Sequence, residues 1–582
     1  MFIETVMAAE IILYNNFIKE WIRFGKPDRT FMAVSLDEVM PVLEKVETMV
    51  ARGLYAAGFV SYEAAPAFDP ALKVDGFSTF PFCWFGLYQS FDIIDLNKCK
   101  RSTCELGEWV PSFDRRNYHQ NIERIKDFIA AGETYQVNYT YRLHATFKGD
   151  PFSFFLDLSN NQKTDYAAFL DIGDYAICSV SPELFFELNG KTITSKPMKG
   201  TAPRGRYLDE DKNQIDRLYW STKNRAENIM IVDMVRNDLA RIAETGTVQV
   251  KSLYDIERLQ TAFQMTSTVT AQTIAPISQI MSALFPCASI TGAPKPRTMG
   301  IINGLETTPR NLYTGCIGFI TPKKKAQFNV SIRTVLIDRK ASIAEYGVGG
   351  GIVWDSTAGD EFEESLTKAR VLKEKYPVFD LLETLLWQQG KGFFLLEYHL
   401  KRMRQSAAYF DFRYNENTIV KELERCAKRF ADKSYRIRLI VNRDGRISCQ
   451  SRAVEISASK QPVRLKPSRT IVNSSNSFLY HKTTFRDVYE LSKKNEKNCD
   501  DVILLNENNE VTETSIYNIV INVNGNRFTP PIACGLLPGT FRAWLLDRNI
   551  IQEKRLTLPE LESCDDIYVV NSVRKWQKAV LV

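Results

Sequence analysis

SPELFFELNGKTITSKPMKGT, residues 181–201, is the stretch on which the reading of the fold turns. Apolar alternation from Leu184 to Leu188 reads as a β-strand, flanked by Ser181-Pro182-Glu183 before it and Pro197-Met198-Lys199-Gly200-Thr201 after it. The carboxyl of Glu183 and the amine of Lys199 thus fall on adjacent short elements, where one cleft can hold both. Outward from here the pattern is mixed. Tyr175 to Val180, Phe328 to Asp338 and Ile343 to Tyr346 alternate as strands, whereas Arg115 to Ala131 and Thr222 to Ala243 run as helices. The two do not alternate regularly, so the expected class is α+β and not a doubly wound sheet.

KNRAENIMIVD, residues 223–233, carries Glu227 on a face flanked by apolar residues, and Glu361 and Glu364 lie one turn apart on a helical pattern from Glu361 to Lys375. Carboxylates on two helices suit Mg²⁺, a hard cation that keeps water or substrate oxygens in its other positions. The glycine run Gly347-Val348-Gly349-Gly350-Gly351 offers backbone N–H groups without side-chain bulk, as the approach of an anion requires. Taken singly these signals are weak, since a Glu pair at helical spacing is usually a solvated face.

At 582 residues the chain exceeds one hydrophobic core and implies roughly three or four core units. Hydrophobic residues at 44% and charged residues at 25% describe an ordinary globular protein. A formal charge of +6, scattered rather than striped, argues against nucleic acid as a partner. The eleven cysteines stand apart with no CxxC spacing, which points to a reducing, cytoplasmic setting. Acids at Glu4 and Glu10 precede a first apolar stretch that reads as helix-like, without the basic region and cleavage site of a secretory leader. No window approaches the ~18 uninterrupted apolar residues of a membrane helix, so no membrane partner is expected. Proline at Pro377, after Glu374-Lys375-Tyr376, cannot continue a helix and sets the expected boundary. This gives domains 1–376 and 377–582, the first divided into an N-terminal subregion, 1–112, and a motif-bearing part, 113–376.

In the rear part, Tyr398 to Tyr409 reads as a helix, and Tyr435 to Val441 and Val502 to Leu505 as strands. Lys482 lies in Tyr480-His481-Lys482-Thr483-Thr484, and Glu513 and Asn518 share a later segment. A Schiff-base lysine and an acid for the pyridine nitrogen are the groups pyridoxal phosphate needs most. Leu537-Pro538-Gly539-Thr540 opens a helix able to hold a phosphate on its N–H groups, with Arg402 to balance the charge.

Order and spacing decide between these readings. From about residue 40 to 372 the chain resembles the chorismate-utilising family, on Glu133-Thr134-Tyr135-Gln136-Val137-Asn138, Ser181-Pro182-Glu183 and Pro197-Met198-Lys199-Gly200-Thr201. The match continues through Met230 to Asp233, Arg236 to Leu239, Thr291-Gly292-Ala293-Pro294-Lys295, and Gly349 to Val353 with Asp355-Ser356. The resemblance implies a mixed α/β two-sheet core. It implies that Glu227 and Glu364 bind Mg²⁺ with Glu361 nearby, that Tyr313, Arg333, Gly349 and Lys368 contact substrate carboxylates, and that Thr201 and Thr291 help line the pocket. Arg333 suits that role because a guanidinium fork matches a carboxylate. Lys199 is the discriminating residue: family members that attack chorismate with water or ammonia at carbon 2 have a small residue there, whereas lysine implies a nucleophile, with Glu183 as general acid, and 4-amino-4-deoxychorismate as product. Two departures are Asn224, where some relatives have an acid, and Gln264, where many have histidine. No glutaminase segment is found, so a separate glutamine amidotransferase subunit is the implied source of ammonia.

Residues 378 to 582 resemble class IV pyridoxal-phosphate enzymes, which include aminotransferases and a lyase acting on aminodeoxychorismate. By that match Lys482 carries the cofactor, Glu513 pairs with its ring nitrogen, and Arg402, Gly539, Thr540 and Ser572 hold its phosphate. The segment Phe379-Asp380-Leu381-Leu382-Glu383-Thr384 begins well inside the family's usual first strand, so edge structure is missing or supplied by the front part. The resemblance leaves open a homodimer through this domain. Together the halves imply amination of chorismate followed by loss of pyruvate to give 4-aminobenzoate for folate synthesis. The alternatives are an anthranilate synthase front with a class IV aminotransferase, against which Lys199 and the chemical hand-off speak, and a non-catalytic scaffold for an amidotransferase. Intact Lys199, Glu227, Glu364, Lys482 and Glu513 speak against the latter.

Overall fold

The structure, a computed structural model, describes residues 9–74, 79–373, 376–431, 433–455 and 461–582. Glu4 and the Glu374-Lys375 pair of the expected junction lie outside the described residues. Two compact units emerge: Met1–Pro203 with Ile215–Tyr376, and Arg204–Gln214 with Pro377–Val582.

The first unit is built on two antiparallel sheets. One runs, in spatial order, through Gln136–Gly149, Ile343–Ile352, Thr334–Asp338, Tyr175–Ser179, Ala168–Asp171, Glu10–Asn15 and Glu20–Phe24. The other runs through Met198–Pro203, Ala262–Gln272, Thr192–Lys196, Leu184–Asn189, Lys325–Val330, Cys316–Thr321, Tyr55–Val60 and Cys83–Tyr88. Successive side chains of a strand face opposite sides, and here both sides are apolar. Ile11 and Leu13 join Phe59, Phe319 and Ile177 in a core between the sheets, while Ile12 faces Phe155, Val137 and Tyr346 in another. Each such side chain contributes roughly 1.5–3 kcal/mol on burial. Helices Arg115–Ala130, Pro151–Asn161 and Ala358–Ala369 supply residues to the outer core of the first sheet, and Leu36–Ala51, Thr222–Ala240 and Ile277–Leu284 to that of the second. The first apolar stretch, expected as helix-like, is therefore a strand: burial on both faces removes the period-2 signal that would have marked it.

A second difference matters for function. Phe328 to Asp338, expected as one strand, is two, Lys325–Val330 in one sheet and Thr334–Asp338 in the other. The chain crosses between sheets at Ser331–Arg333, where Arg333 adopts φ 49°, a left-handed conformation uncommon for a residue with a Cβ.

The second unit has a four-stranded sheet around Leu381–Gln388 and Ser434–Val441, and an eight-stranded one in which Val463–Val472 pairs in parallel with Asp501–Asn506 and Lys575–Leu581. It also contains residues 204–214, which the sequence boundary assigned to the front. Arg204 forms a fork with Asp211 (Nε to Oδ1 3.0 Å, Nη2 to Oδ2 2.6 Å), donates to the Tyr409 carbonyl at 2.9 Å and lies over the Tyr409 ring. The Tyr409 hydroxyl donates to the Gly205 carbonyl at 2.6 Å, and Arg206 donates to the Tyr480 hydroxyl at 2.8 Å. A domain cut at residue 377 would strip these partners away.

Asp211 is almost fully buried and Arg204 nearly so, and removing one member of a buried pair costs about 3–5 kcal/mol. Arg204→Ala is therefore expected to lower the urea midpoint of the full chain clearly. Arg404→Ala, which breaks an exposed pair with Glu416, should change stability by less than about 1 kcal/mol. Equal effects of the two substitutions would contradict this assignment.

Candidate active sites

In the first unit a cavity of about 190 Å³ brings together Glu183, Lys199, Thr201, Asn224, Glu227, Gln264, Tyr313, Arg333, Gly349, Glu361, Glu364 and Lys368. Local structure explains the placement of Lys199. Strand Met198–Pro203 pairs with Ala262–Gln272, but the register shifts between Met198 and Thr201, leaving Lys199 and Gly200 out of the ladder. Such a bulge re-aims a side chain, and Gly200 takes the φ of 95° that it requires. Pairing of Ile343–Ile352 with Thr334–Asp338 ends at Val335↔Tyr346, so among the described residues that edge of the glycine run is open and forms one wall. Arg333 enters from the crossover between the sheets.

The polar contacts inside are specific. Glu183 is buried and accepts a hydrogen bond from Ser289 Oγ at 2.6 Å. Burial pushes its carboxyl up to about 7, against the opposing pull of Ser289 and Lys199. Burial also lowers the Lys199 amine from its ordinary range; Lys368 adds to this, while Glu227, Glu183 and Glu364 oppose it. Lys368 donates to the Gly349 carbonyl at 2.9 Å and pairs with Glu364 at 2.8 Å. Thr201 donates to Gln264 at 3.2 Å. Thr291 corrects one expectation: it does not line the cavity, because its hydroxyl turns back onto the Cys287 and Ala288 carbonyls at 3.2 and 3.3 Å, and Ser289 and Ile290 form the wall instead.

Glu227, Glu361 and Glu364 share the cavity, but among the described residues no three His, Cys, Asp or Glu side chains form a ready-made metal cage. Burial raises the carboxyl of Glu361, and the negative charge of Glu364 adds to the effect, even as Ser356 donates to it at 2.7 Å. Crowded carboxylates in an open arrangement fit Mg²⁺, which takes one or two carboxylates and fills its octahedron with water and substrate oxygens.

The second unit holds a cavity of about 380 Å³ lined by Arg402, Lys482, Glu513, Asn518, Gly539, Thr540 and Ser572. Burial, then Arg402, brings the Lys482 amine down to about 8. Glu513 accepts from the Tyr489 hydroxyl at 2.8 Å, the Leu537 amide at 3.0 Å and Asn518 at 3.2 Å, yet burial still pushes it up to about 7. A buried acid opposite a buried lysine, with Gly539 and Thr540 at a helix start, is a donor set that fits pyridoxal phosphate.

Sequence reasoning missed Glu383 and His399. Arg402 is held by Glu383 through two hydrogen bonds, Nε to Oε1 at 2.8 Å and Nη2 to Oε2 at 2.6 Å, and donates its other Nη to the Pro538 carbonyl at 2.9 Å. His399 bridges Glu383 at 2.6 Å and Thr540 at 3.3 Å. Glu383 thus fixes both Arg402 and Thr540. The available signal was an acid within the apolar strand Leu381–Gln388, where only a paired carboxylate survives burial.

A family model for chorismate binding enzymes matches residues 23–374, and one for class IV amino-transferases matches residues 380–582. Aminodeoxychorismate synthase component 1 of Escherichia coli (strain K12) is 37% identical over 271 residues, 46% of this chain and 59% of that protein. Aminodeoxychorismate synthase of Streptomyces griseus is 39% identical over 285 residues, 48% of this chain and 38% of that one. The matched stretch thus spans less than two thirds of each of these relatives. In fold it is similar to anthranilate synthase component I from Streptococcus pneumoniae TIGR4, with a TM-score of 0.52 and 24% identity, covering 64% of this chain and 92% of that one.

Burial works to raise the Glu383 carboxyl, but Arg402 and His399 outweigh it and hold it at about 2, below the usual 4.5. A depressed carboxyl stabilises the fold above its unfolded pKa and loses that contribution as pH falls through the folded value. The stability gap between wild type and Glu383→Gln should be about 3 kcal/mol near neutrality. It should narrow from about pH 4.5 towards pH 2 in urea titrations; a gap independent of pH would contradict the pairing.

Proposed function

The chain belongs to the chorismate binding enzymes, and on that premise we propose that it makes 4-aminobenzoate in two steps, one in each unit. The observation that carries the first step is Lys199, a lysine with a lowered pKa, sharing a 190 Å³ cavity with a carboxyl raised to about 7. The neutral Lys199 amine forms a bond to carbon 2 of chorismate. Both ring double bonds shift by one position and the carbon-4 hydroxyl leaves as water, taking a proton from Glu183. Ammonia then bonds to carbon 4, both double bonds return and Lys199 departs, leaving 4-amino-4-deoxychorismate. Arg333, Tyr313, Gly349 and Lys368 bind substrate carboxylates; Glu227 and Glu364, with Glu361 beside them, would hold Mg²⁺, which would neutralise a carboxylate otherwise costly to bury. Ammonia comes from a separate glutamine amidotransferase subunit.

In the second unit Glu513 would pair with the pyridine nitrogen of pyridoxal phosphate, and Arg402, Gly539, Thr540 and Ser572 would hold its phosphate. The cofactor, when bound, supplies an electron sink at the carbon bearing the amino group. Lys482, its amine near 8, takes the carbon-4 proton; the enolpyruvyl group leaves as pyruvate and the ring becomes aromatic. The family match of the second unit is common to aminotransferases, so the lyase assignment rests on the product of the first. All eleven cysteines are free thiols, which supports a reducing, cytoplasmic setting for folate precursor synthesis; among the described residues no helix is long and apolar enough to cross a membrane.

Incubation with chorismate, Mg²⁺, ammonium and pyridoxal phosphate is expected to yield 4-aminobenzoate; 2-aminobenzoate would overturn the assignment. Lys199→Ala should abolish amination yet still convert supplied aminodeoxychorismate, and Lys482→Ala should let that intermediate accumulate. Amination needs Glu183 protonated and Lys199 neutral at once, so its rate, normalised to free ammonia, should pass through a maximum and fall on both sides. A rate still rising at about pH 10 would exclude Glu183 as the acid.

A further inference from the structure

Gln136 lies in the Glu133 to Asn138 motif but has no role in the chemistry above. It is fully buried, and among the described residues both its side-chain nitrogen and its side-chain oxygen lack a hydrogen-bond partner. A fully buried amide with neither group satisfied costs about 1–3 kcal/mol for each, and such a group calls for an explanation. Its surroundings supply one. A Cβ placed on Gly351, in the cavity wall, would meet Lys199 Nζ at 2.7 Å and Gln136 Nε2 at 2.9 Å, so the amine and the amide crowd one point on the same glycine.

We propose that Gln136 is a positioning residue for Lys199: its uncharged amide, bonded to no other group among the described residues, is free to accept from the ε-amine over Gly351 and keep it aimed at the substrate ring. The choice of group follows from the company it keeps. Glu183, Glu227, Glu364 and Lys368 already act electrostatically on Lys199; an amide adds a hydrogen-bonding group without adding charge, whereas a carboxylate would draw the amine into an ion pair away from the ring. Gly351 has no side chain because any Cβ would displace one of the two groups. The inference rests on Lys199 as the nucleophile of the proposed amination.

The test is Gln136→Met in the full chain, which keeps length and removes both polar groups. A positioning role predicts an unchanged or raised melting midpoint, chorismate KM within about twofold, and kcat for amination at least tenfold lower. A purely structural role predicts a lowered midpoint with kcat preserved in the folded fraction, and that result would overturn the proposal. Should Gln136→Met fail to fold, Gln136→Glu, nearly isosteric and polar, carries the test: kcat below a tenth of wild type supports the assignment and wild-type kcat overturns it. Lys199→Ala separates the two claims. If it retains amination, the nucleophile assignment fails whatever the Gln136 variants do; if it is inactive while Gln136→Met turns over normally, only the positioning role fails.

Discussion

Desolvation is the constraint on which this molecule depends. An amine must be neutral to attack and a carboxylic acid protonated to give up its proton, yet in water near neutral pH each takes the other form. Burial disfavours charge on both, and the first unit places Lys199 and Glu183 in one small cavity where it does so. The second unit repeats the device with different partners, bringing Lys482 to about 8 and Glu513 to about 7. Where an ionised group is wanted instead, it is given opposite charge in close geometry: Glu383, just as deeply buried, is held near 2 by Arg402 and His399.

The architecture exists to hold those environments. Two sheets apolar on both faces frame the first unit, and the groups that the proposed chemistry uses come from its irregularities: the bulge that carries Lys199, the crossover at Arg333 with φ 49°, and the open edge of the glycine run. Regular strands pair their backbones and alternate their side chains; departures from that order are where a side chain can be aimed.

Much of this was legible in the sequence. Lys199, Glu183, Glu227, Glu361, Glu364, Arg333 and Lys368 fall in one cavity, and Lys482, Glu513, Arg402, Gly539, Thr540 and Ser572 in another. What escaped notice depended on tertiary context. The break at Ser331–Arg333 interrupts an apolar alternation that continues in phase into another sheet. Thr291 sits in the right motif but turns its hydroxyl to its own backbone. Glu383 stands within an apolar strand, and its partners lie 16 and 19 residues away on a helix, beyond the reach of any local pattern. Residues 204–214 are front-part sequence whose side chains find their partners in the second unit, and no local pattern carries that information.

The central claim, that Lys199 bonds to the substrate, is tested most directly by mass spectrometry of the chain incubated with chorismate and Mg²⁺ without ammonia. The account predicts that the peptide containing Lys199 gains the mass of chorismate less one water, and that adding ammonia removes it. Ammonia-dependent turnover with no adduct on that peptide, or with an adduct on another residue, would contradict it.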